Sequence, residues 1–331
     1  HKEYRRQRQM CIRDSITGGL GFIGSNFFNY MKEKYPDYEM LILDSETYAS
    51  DRSNIENFSG CRYVTFDIVE RERLFKLFEN YKFEYVIHFA AESHVDNSIL
   101  NPLKFVESNI IGTINLLDAS VKYGVKLFYH ISTDEVFGHL GPTGSFNEQT
   151  PYDPRSPYSA SKASSDHFVR AYHHTYNLPV IISNCSNNYG PNQHDEKFIP
   201  TVIKKVLNGE KIPVYGNGSN VRDWLYVMDH VNAIDKIFHG GKIGETYCIG
   251  GGHEVSNLRL AKIICDRIDY IKDWEQDSKE LIEFVEDRKG HDFRYSIDNS
   301  KISKTLGWEP QTSFEDGIGK TIDSVSYTHL R

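Results

Sequence analysis

The segment Gly18-Gly19-Leu20-Gly21-Phe22-Ile23-Gly24 decides how the rest of the chain is read. It contains both a GxxGxxG and a GxGxxG spacing, and it lies between a strand candidate and a helix candidate. Glycines at 18, 21 and 24 let the backbone approach a pyrophosphate, while free N–H groups at the helix start meet its negative charge. Asp44 follows Gly24 by 20 residues and closes the apolar run Met40 to Leu43. A carboxylate there accepts hydrogen bonds from the adenosine ribose hydroxyls and repels a 2′-phosphate. The two signals together predict a dinucleotide site that takes NAD rather than NADP. Asp67 ends the next apolar run, where it can meet the adenine amino group or simply cap a turn.

Outward from this turn, short apolar runs alternate with amphipathic stretches between Ile16 and Leu178, the pattern of βαβ units on a parallel sheet. Strands are expected at Met40 to Leu43, Tyr63 to Phe66, Tyr85 to Phe89, Lys126 to Ile131 and Val180 to Ser183. Helices are expected at Gly24 to Tyr35, Glu70 to Asn80, Val106 to Tyr123 and Pro157 to Tyr176. The fold class that follows is α/β, a doubly wound, Rossmann-like parallel sheet with a smaller mixed α/β C-terminal lobe. Turn signals cluster at Tyr189-Gly190-Pro191-Asn192 and from Tyr215 to Asn220, which sets a boundary near 189. Residues 15–189 are expected to form the dinucleotide domain, with segments near 225–250 returning to it, and residues 190–325 mainly the second lobe. No repeat or linker separates them, so they should pack together.

The two ends read differently. Arg13-Asp14-Ser15 stand where a first strand should be continuously apolar, and charge there is costly to bury. Ser326-Tyr327-Thr328-His329-Leu330-Arg331 carry no apolar stripe that would continue the helix candidate Phe314 to Val325. Residues 1–14 and 326–331 are therefore expected to be non-native extensions.

Across 331 residues, 38 Lys+Arg oppose 46 Asp+Glu, a formal charge of −8 that argues against nucleic acid as a partner. There is no apolar run long enough to span a membrane and no signal-peptide core, so no membrane partner and a cytoplasmic location are expected. The cysteines at 11, 61, 185, 248 and 265 are scattered without a CxxC and read as reduced thiols. No metal site is expected, because the histidines are dispersed, His173-His174 are adjacent and cannot share a helix face, and HExxH does not occur.

Tyr158 and Lys162 are four apart in a helix candidate and share a face. A lysine ammonium near a phenol favours the phenolate, which can take a hydroxyl proton as hydride leaves carbon. The segment Pro157-Tyr158-Ser159-Ala160-Ser161-Lys162 follows the dinucleotide fingerprint at the distance seen in the extended, nucleotide-sugar-modifying branch of the short-chain dehydrogenase/reductases, which it resembles. Thr133-Asp134-Glu135 follow an apolar run, at the strand end where chemistry normally sits. Oxidation or epimerisation needs only Tyr and Lys, whereas loss of water also needs a base and an acid, which the two carboxylates can supply.

With His88-Phe89-Ala90-Ala91-Glu92-Ser93-His94-Val95-Asp96, Asn184-Cys185-Ser186-Asn187-Asn188-Tyr189-Gly190-Pro191 and Arg222-Asp223-Trp224, these motifs resemble the dTDP-glucose 4,6-dehydratases from about Ile16 to Val325. The resemblance implies oxidation at C4, elimination across C5 and C6, and return of hydride to C6, giving dTDP-4-keto-6-deoxyglucose and water. NAD would be recycled each turnover and remain tightly bound as NAD+. Thr133 would hydrogen-bond the sugar near C4, with Asp134 as acid, Glu135 as base, Tyr158 as hydroxyl base and Lys162 as its tuner.

Cofactor positions implied by the resemblance are Phe22, Ile23, Thr47, Ile68, Ala90, Ala91, Ser108 and Asn188, beside Gly18, Gly21, Gly24, Asp44, Asp67, Tyr158 and Lys162. Substrate positions are Ser93, Thr133, Asn187, Lys197, Phe198, Pro213, Tyr215, Arg222, Asn257, Arg288 and His291, with the cations suited to a diphosphate. Three departures stand out: Ser108 replaces a usual Thr, Lys289 replaces the Pro of Arg-Pro-Gly-His-Asp and should loosen that loop, and Leu20 replaces a small Ala and should crowd the nucleotide turn.

A UDP-glucose 4,6-dehydratase is the nearest alternative, and Asn184 to Asn188 with Gly290-His291-Asp292 lean toward dTDP. An alternative of another class is a catalytically silent NAD-binding regulatory protein. The resemblance also implies a homodimer through the helices at Val106 to Tyr123 and Pro157 to Tyr176, although either could equally bury its stripe on its own sheet.

Overall fold

In the computed structural model, which describes residues 13–329, the apolar runs become strands β1 (Arg13–Thr17), β2 (Glu39–Asp44), β3 (Arg62–Thr65), β4 (Tyr85–His88), β5 (Leu127–Thr133) and β6 (Val180–Cys185). A later strand, β10 (Thr246–Ile249), completes a seven-stranded parallel sheet of order β10-β6-β5-β4-β1-β2-β3. The order reverses between β1 and β4, which share a parallel register, and a doubly wound sheet opens its crevice at that point. Helices α1 (Phe22–Lys34), α2 (Arg71–Tyr81), α5 (Gly112–Tyr123) and α6 (Pro157–Tyr176) connect the strands. Apolar residues such as Ile16, Phe27 and Ile42 bury one face of the sheet, while Leu43, Phe78, Leu116 and Phe128 bury the other.

The first strand departs from expectation. Arg13 and Asp14, expected to lie outside the fold, open β1, with Asp14 paired to Met40 and Tyr85 and only 1% exposed. The backbone ladder on both sides holds the strand whatever its side chains, so the carboxylate is carried inside. Neither of its oxygens has a hydrogen-bond partner among the described residues, and burial, with Glu84 adding repulsion, pushes the carboxyl well above the usual range. At the other end, the helix expected to stop at Val325 runs from Phe314 to His329. The remainder of the expected extensions, 1–12 and 330–331, lies outside the described residues.

The helix expected from Val106 to Tyr123 is also not uniform. After α3 (Val95–Leu100) and the short α4 (Pro102–Phe105), residues Val106–Ile111 form a π-helical turn before α5 begins. The wide turn aims Asn109 inward, where its side chain exchanges hydrogen bonds with Glu92 N (2.8 Å) and Glu92 O (3.0 Å) and reaches Ser161 Oγ (2.8 Å).

The second lobe holds β7 (Asn187–Tyr189), α7 (Phe198–Leu207), β8 (Ile212–Tyr215), β9 (Val221–Tyr226), β11 (Glu254–Ser256), α9 (Asn257–Lys272), β12 (Ile282–Val285) and α11 (Phe314–His329). Its α7 places Ile199, Val202, Ile203 and Val206 at helical spacing against Leu260, Ile264 and Ile322, each burial worth about 1.5–3 kcal/mol. Between these pieces, α8 (Val227–Gly240) packs on α1 and leads into β10, so this stretch belongs spatially to the large sheet; α10 (Ser300–Leu306) contacts both.

Candidate active site

A cleft opens at the C-terminal ends of β1, β4, β5 and β6, bounded by the second lobe at Asn187, Asn188 and Lys197. At its base Gly18 adopts φ +69°, and a Cβ there would stand 2.6 Å from Ala90 N. A Cβ on Gly24 would collide with Gly18 O. α1 begins after Gly21 with no side-chain cap and no acidic residue in its first turn, which leaves its first N–H groups for an anion. Asp44 lines the cleft and accepts from Leu20 N (3.0 Å), Glu46 N (2.9 Å) and Ser50 Oγ (2.7 Å), so it braces the glycine turn against the loop that follows β2. Asp67 also lines the cleft while its Oδ1 caps Val69 N at 3.0 Å. Phe22, Ile23, Thr47, Ile68, Ala90, Ala91, Ser108 and Asn188 line the same wall. A close backbone cradle, an uncapped helix start and a carboxylate at the end of β2 together fit NAD.

Leu20 does not crowd this turn. Its side chain is fully buried in the core beneath the sheet, because the residue after Gly19 points away from the cleft.

The catalytic candidates converge on the next stretch of the cleft. Ser156 and Ser159 form a capping box around Pro157, which fixes the start of α6 and puts Tyr158 in its first turn and Lys162 one turn on. Lys162 Nζ donates to Ile131 O at 2.8 Å. Thr133 ends β5, and its Oγ1 accepts from Glu135 N at 3.3 Å, capping the short turn that carries Asp134 and Glu135. All five residues line the cleft.

Their surroundings separate the two carboxyl groups. Burial, then Glu135 and Asp223, push Asp134 well above the usual range, which favours its protonated form. Burial also raises Glu135, but Arg222, Lys197 and Arg288 pull it back toward ionisation. Environments that push two carboxyl groups apart assign an acid and a base. The tyrosine differs from expectation: burial and the nearby Glu135 hold the Tyr158 phenol well above its ordinary range, and Lys162, itself lowered by burial, is anchored on Ile131 O. In the protein alone, the cost of burying a phenolate outweighs the lysine.

Of the expected substrate positions, Ser93, Thr133, Asn187 and Lys197 line the cleft, and Lys197 Nζ crosses it to donate to Ser93 O at 2.9 Å. Phe198, Pro213, Tyr215, Arg222, Asn257, Arg288 and His291 do not line it. Phe198 opens α7, Pro213 is exposed on β8 and Asn257 opens α9. Arg222 donates to Asp292 O at 3.0 Å and lies over the Tyr295 ring at 4.3 Å. Arg288 makes a bidentate pair with Asp96 (2.6 and 2.8 Å), where Tyr215 OH also reaches Asp96 at 3.4 Å, and His291 bonds Asp287 at 2.7 Å. That ion pair between the lobes holds the loop that Lys289 was expected to loosen. Asn184 is fully buried and donates to Thr133 O at 3.1 Å.

Sequence reasoning missed three residues that hold the site. Asp96 was present in a quoted motif but had no assigned partner. His230, pushed down to about 3 by burial and therefore neutral, fixes Asn188 Oδ1 at 2.8 Å from α8. Asp166 lies one turn beyond Lys162 on α6 and is fully buried. No local pattern marks the last two, since their partners are distant in sequence.

Comparison with known proteins adds to this geometry. A family model described as GDP-mannose 4,6-dehydratase matches residues 16–321. The dTDP-glucose 4,6-dehydratase of Xanthomonas campestris pv. campestris is 46% identical over 322 residues, covering 93% of this chain and 91% of that protein. The dTDP-glucose 4,6-dehydratase 1 of Escherichia coli K12 is 45% identical over 329 residues, with the same coverage. Among solved structures, the dTDP-glucose 4,6-dehydratase DesIV of Streptomyces venezuelae, crystallised with NAD bound, superposes with a TM-score of 0.89 at 42% identity, covering 96% of this chain and 98% of that one.

Proposed function

The chain belongs to the dTDP-glucose 4,6-dehydratase family, and from that premise we propose that it converts dTDP-glucose to dTDP-4-keto-6-deoxyglucose and water. One observation carries the reading: Asp134 and Glu135, the extra acid and base that loss of water requires, share a cleft with Tyr158 and Lys162. NAD, when bound, supplies the hydride acceptor at C4 and the donor at C6, and is restored within each turnover. Gly18, Gly21, Phe22, Ile23, Gly24, Asp44 and Asn188 are the groups that would hold it.

Thr133 orients the sugar at its C4 hydroxyl, and Tyr158 would accept that hydroxyl's proton as its phenolate, a form that burial opposes in the protein alone and that the Lys162 ammonium together with the positive charge of bound NAD+ would favour. The C4 ketone acidifies the C5 proton, which Glu135 removes. Asp134 protonates the departing C6 hydroxyl, turning it into water, and the proton held by Glu135 returns to C5. Support for these roles comes from the upward shift of Asp134 and the cation-flanked Glu135. We assign the cofactor to residues 15–189 with 225–250, and the nucleotide diphosphate mainly to 190–325, where Arg222 and Arg288 supply positive charge. Mass spectrometry of the protein with dTDP-glucose and, separately, UDP-glucose tests the reading: loss of one water from the dTDP sugar without net NAD reduction is expected. No change in either sugar by folded, NAD-loaded protein refutes it.

We also propose a homodimer. Leu100 (83% exposed), Leu103 (70%), Val106 and Ile111 around α4, with Phe168 and Tyr176 on α6, leave an apolar surface uncovered. Sedimentation at micromolar concentration should show a dimer, and Leu103→Glu should convert it to monomer. A cytoplasmic location accords with the four described cysteines being free.

A further inference from the structure

One turn beyond Lys162 on α6 lies a polar cluster that the proposed chemistry does not use. Asp166 is fully buried, and its Oδ2 accepts from Tyr152 OH (2.7 Å), Ser132 Oγ (2.9 Å) and Asn184 Nδ2 (3.2 Å). Asn184 Nδ2 also donates to Thr133 O at 3.1 Å. His130 Nε2 lies 3.2 Å from Asp166 Oδ1 without hydrogen-bond geometry, so that contact is electrostatic. One carboxylate therefore ties the last residues of β5 and β6, and the loop carrying Tyr152, to a helix whose other turns carry Tyr158 and Lys162. The spacing 158, 162, 166 puts the three side chains on one helix face.

We propose that Asp166 is a positioning residue for this active site: its buried carboxylate sets where Thr133 and Asp134 stand and serves as counter-ion to Lys162. A buried ammonium needs such a partner, because desolvation favours its neutral form. Burial on balance lowers Lys162, and the carboxylate of Asp166 is the charge that works against it, ahead of Cys185 on β6. The other titratable groups facing the cluster are His130 on β5, with His88 of β4 at 5.2 Å behind it, Tyr152 from the loop, and Arg170 on α6, which donates to Tyr152 OH at 2.8 Å. His130, pushed down to about 4 by burial, is neutral and does not replace the carboxylate.

The proposal rests on the dehydratase reading, so the test has one arm that does not need it. In NAD-loaded Asp166→Asn, kcat for dTDP-glucose should fall about ten- to a hundredfold, the effect of misplacing groups by a fraction of an ångström to one ångström, with KM nearly unchanged. The alkaline limb of the kcat profile should move to lower pH, since Lys162 loses its proton more readily. The Lys162 ε-carbon, followed by NMR without substrate and assigned through Lys162→Arg, should titrate at lower pH than in the wild type. A folded Asp166→Asn protein with a lowered Tm but unchanged kcat and unchanged Lys162 titration has lost only structure, and overturns the proposal. If Asp166→Asn does not fold, Tyr152→Phe, which keeps the carboxylate and removes one donor, should lower kcat a few-fold at constant KM; an unchanged kcat overturns it. Failure of the wild type to dehydrate dTDP-glucose sinks the function but leaves the NMR result standing.

Discussion

Glu135→Gln stops turnover after the first oxidation. With dTDP-glucose, the near-ultraviolet absorbance of NADH should build up on the bound cofactor and persist, while release of water falls about 10²–10⁴-fold, the usual loss for a removed general base. The amide keeps the shape of the side chain and its place in the turn capped by Thr133, so substrate binding and the Tyr158 and Lys162 pair remain. What disappears is the carboxylate that Arg222, Lys197 and Arg288 together bias toward the ionised form, beside an Asp134 pushed well above the usual range. In the wild type, both carboxyl groups lie above their ordinary ranges. Turnover should decline on acidification as Glu135 takes a proton. Undiminished turnover in Glu135→Gln would remove it as the base and transfer the role to another group in the cleft.

Asp14→Val should stabilise the protein by about 2–4 kcal/mol, because two buried unsatisfied carboxyl oxygens each cost on the order of 1–3 kcal/mol and valine suits a central parallel strand. For a chain of this size that corresponds to a rise of roughly 3–6 °C in Tm. The effect has a defined pH dependence. The folded state holds the Asp14 proton well above the usual carboxylate range, whereas the unfolded chain releases it at the ordinary value. Between those two points the folded state binds more protons, so wild-type stability falls as pH rises. The advantage of Asp14→Val should therefore be smallest in acid, below the ordinary aspartate range, and grow toward neutral pH. Equal melting temperatures for the two proteins at neutral pH would mean that the Asp14 carboxylate finds water or a partner.

Several features were legible before any coordinates. The glycine turn, Asp44 and the alternation of apolar runs with amphipathic stretches are local signals, set by the steric limits of backbone near phosphate and by the periods of strand and helix. Tyr158 and Lys162 were named from their spacing, Asp134 and Glu135 from their strand-end position and Thr133 from the family resemblance, and all five line one cleft. The helix start expected at Pro157 coincides with that of α6, where the structure shows a capping box of Ser156 and Ser159. By itself, then, the sequence determined the parallel sheet, the dinucleotide turn and the residue types available for chemistry.

Tertiary structure decided the rest, because those properties arise from residues far apart in the chain. Pairing with β2 and β4 drew Arg13 and Asp14 into the sheet against their polarity, since backbone hydrogen bonds do not depend on the side chain. Whether Leu20 entered the cleft or the core depended on which way the turn carried it. The proton on Asp134, the bias on Glu135 and the raised Tyr158 phenol are set by burial and by charges on β9 and on the loops carrying Lys197 and Arg288. Desolvation and Coulomb interactions act through space, so the sequence names the groups while only their packing assigns which of them hold protons.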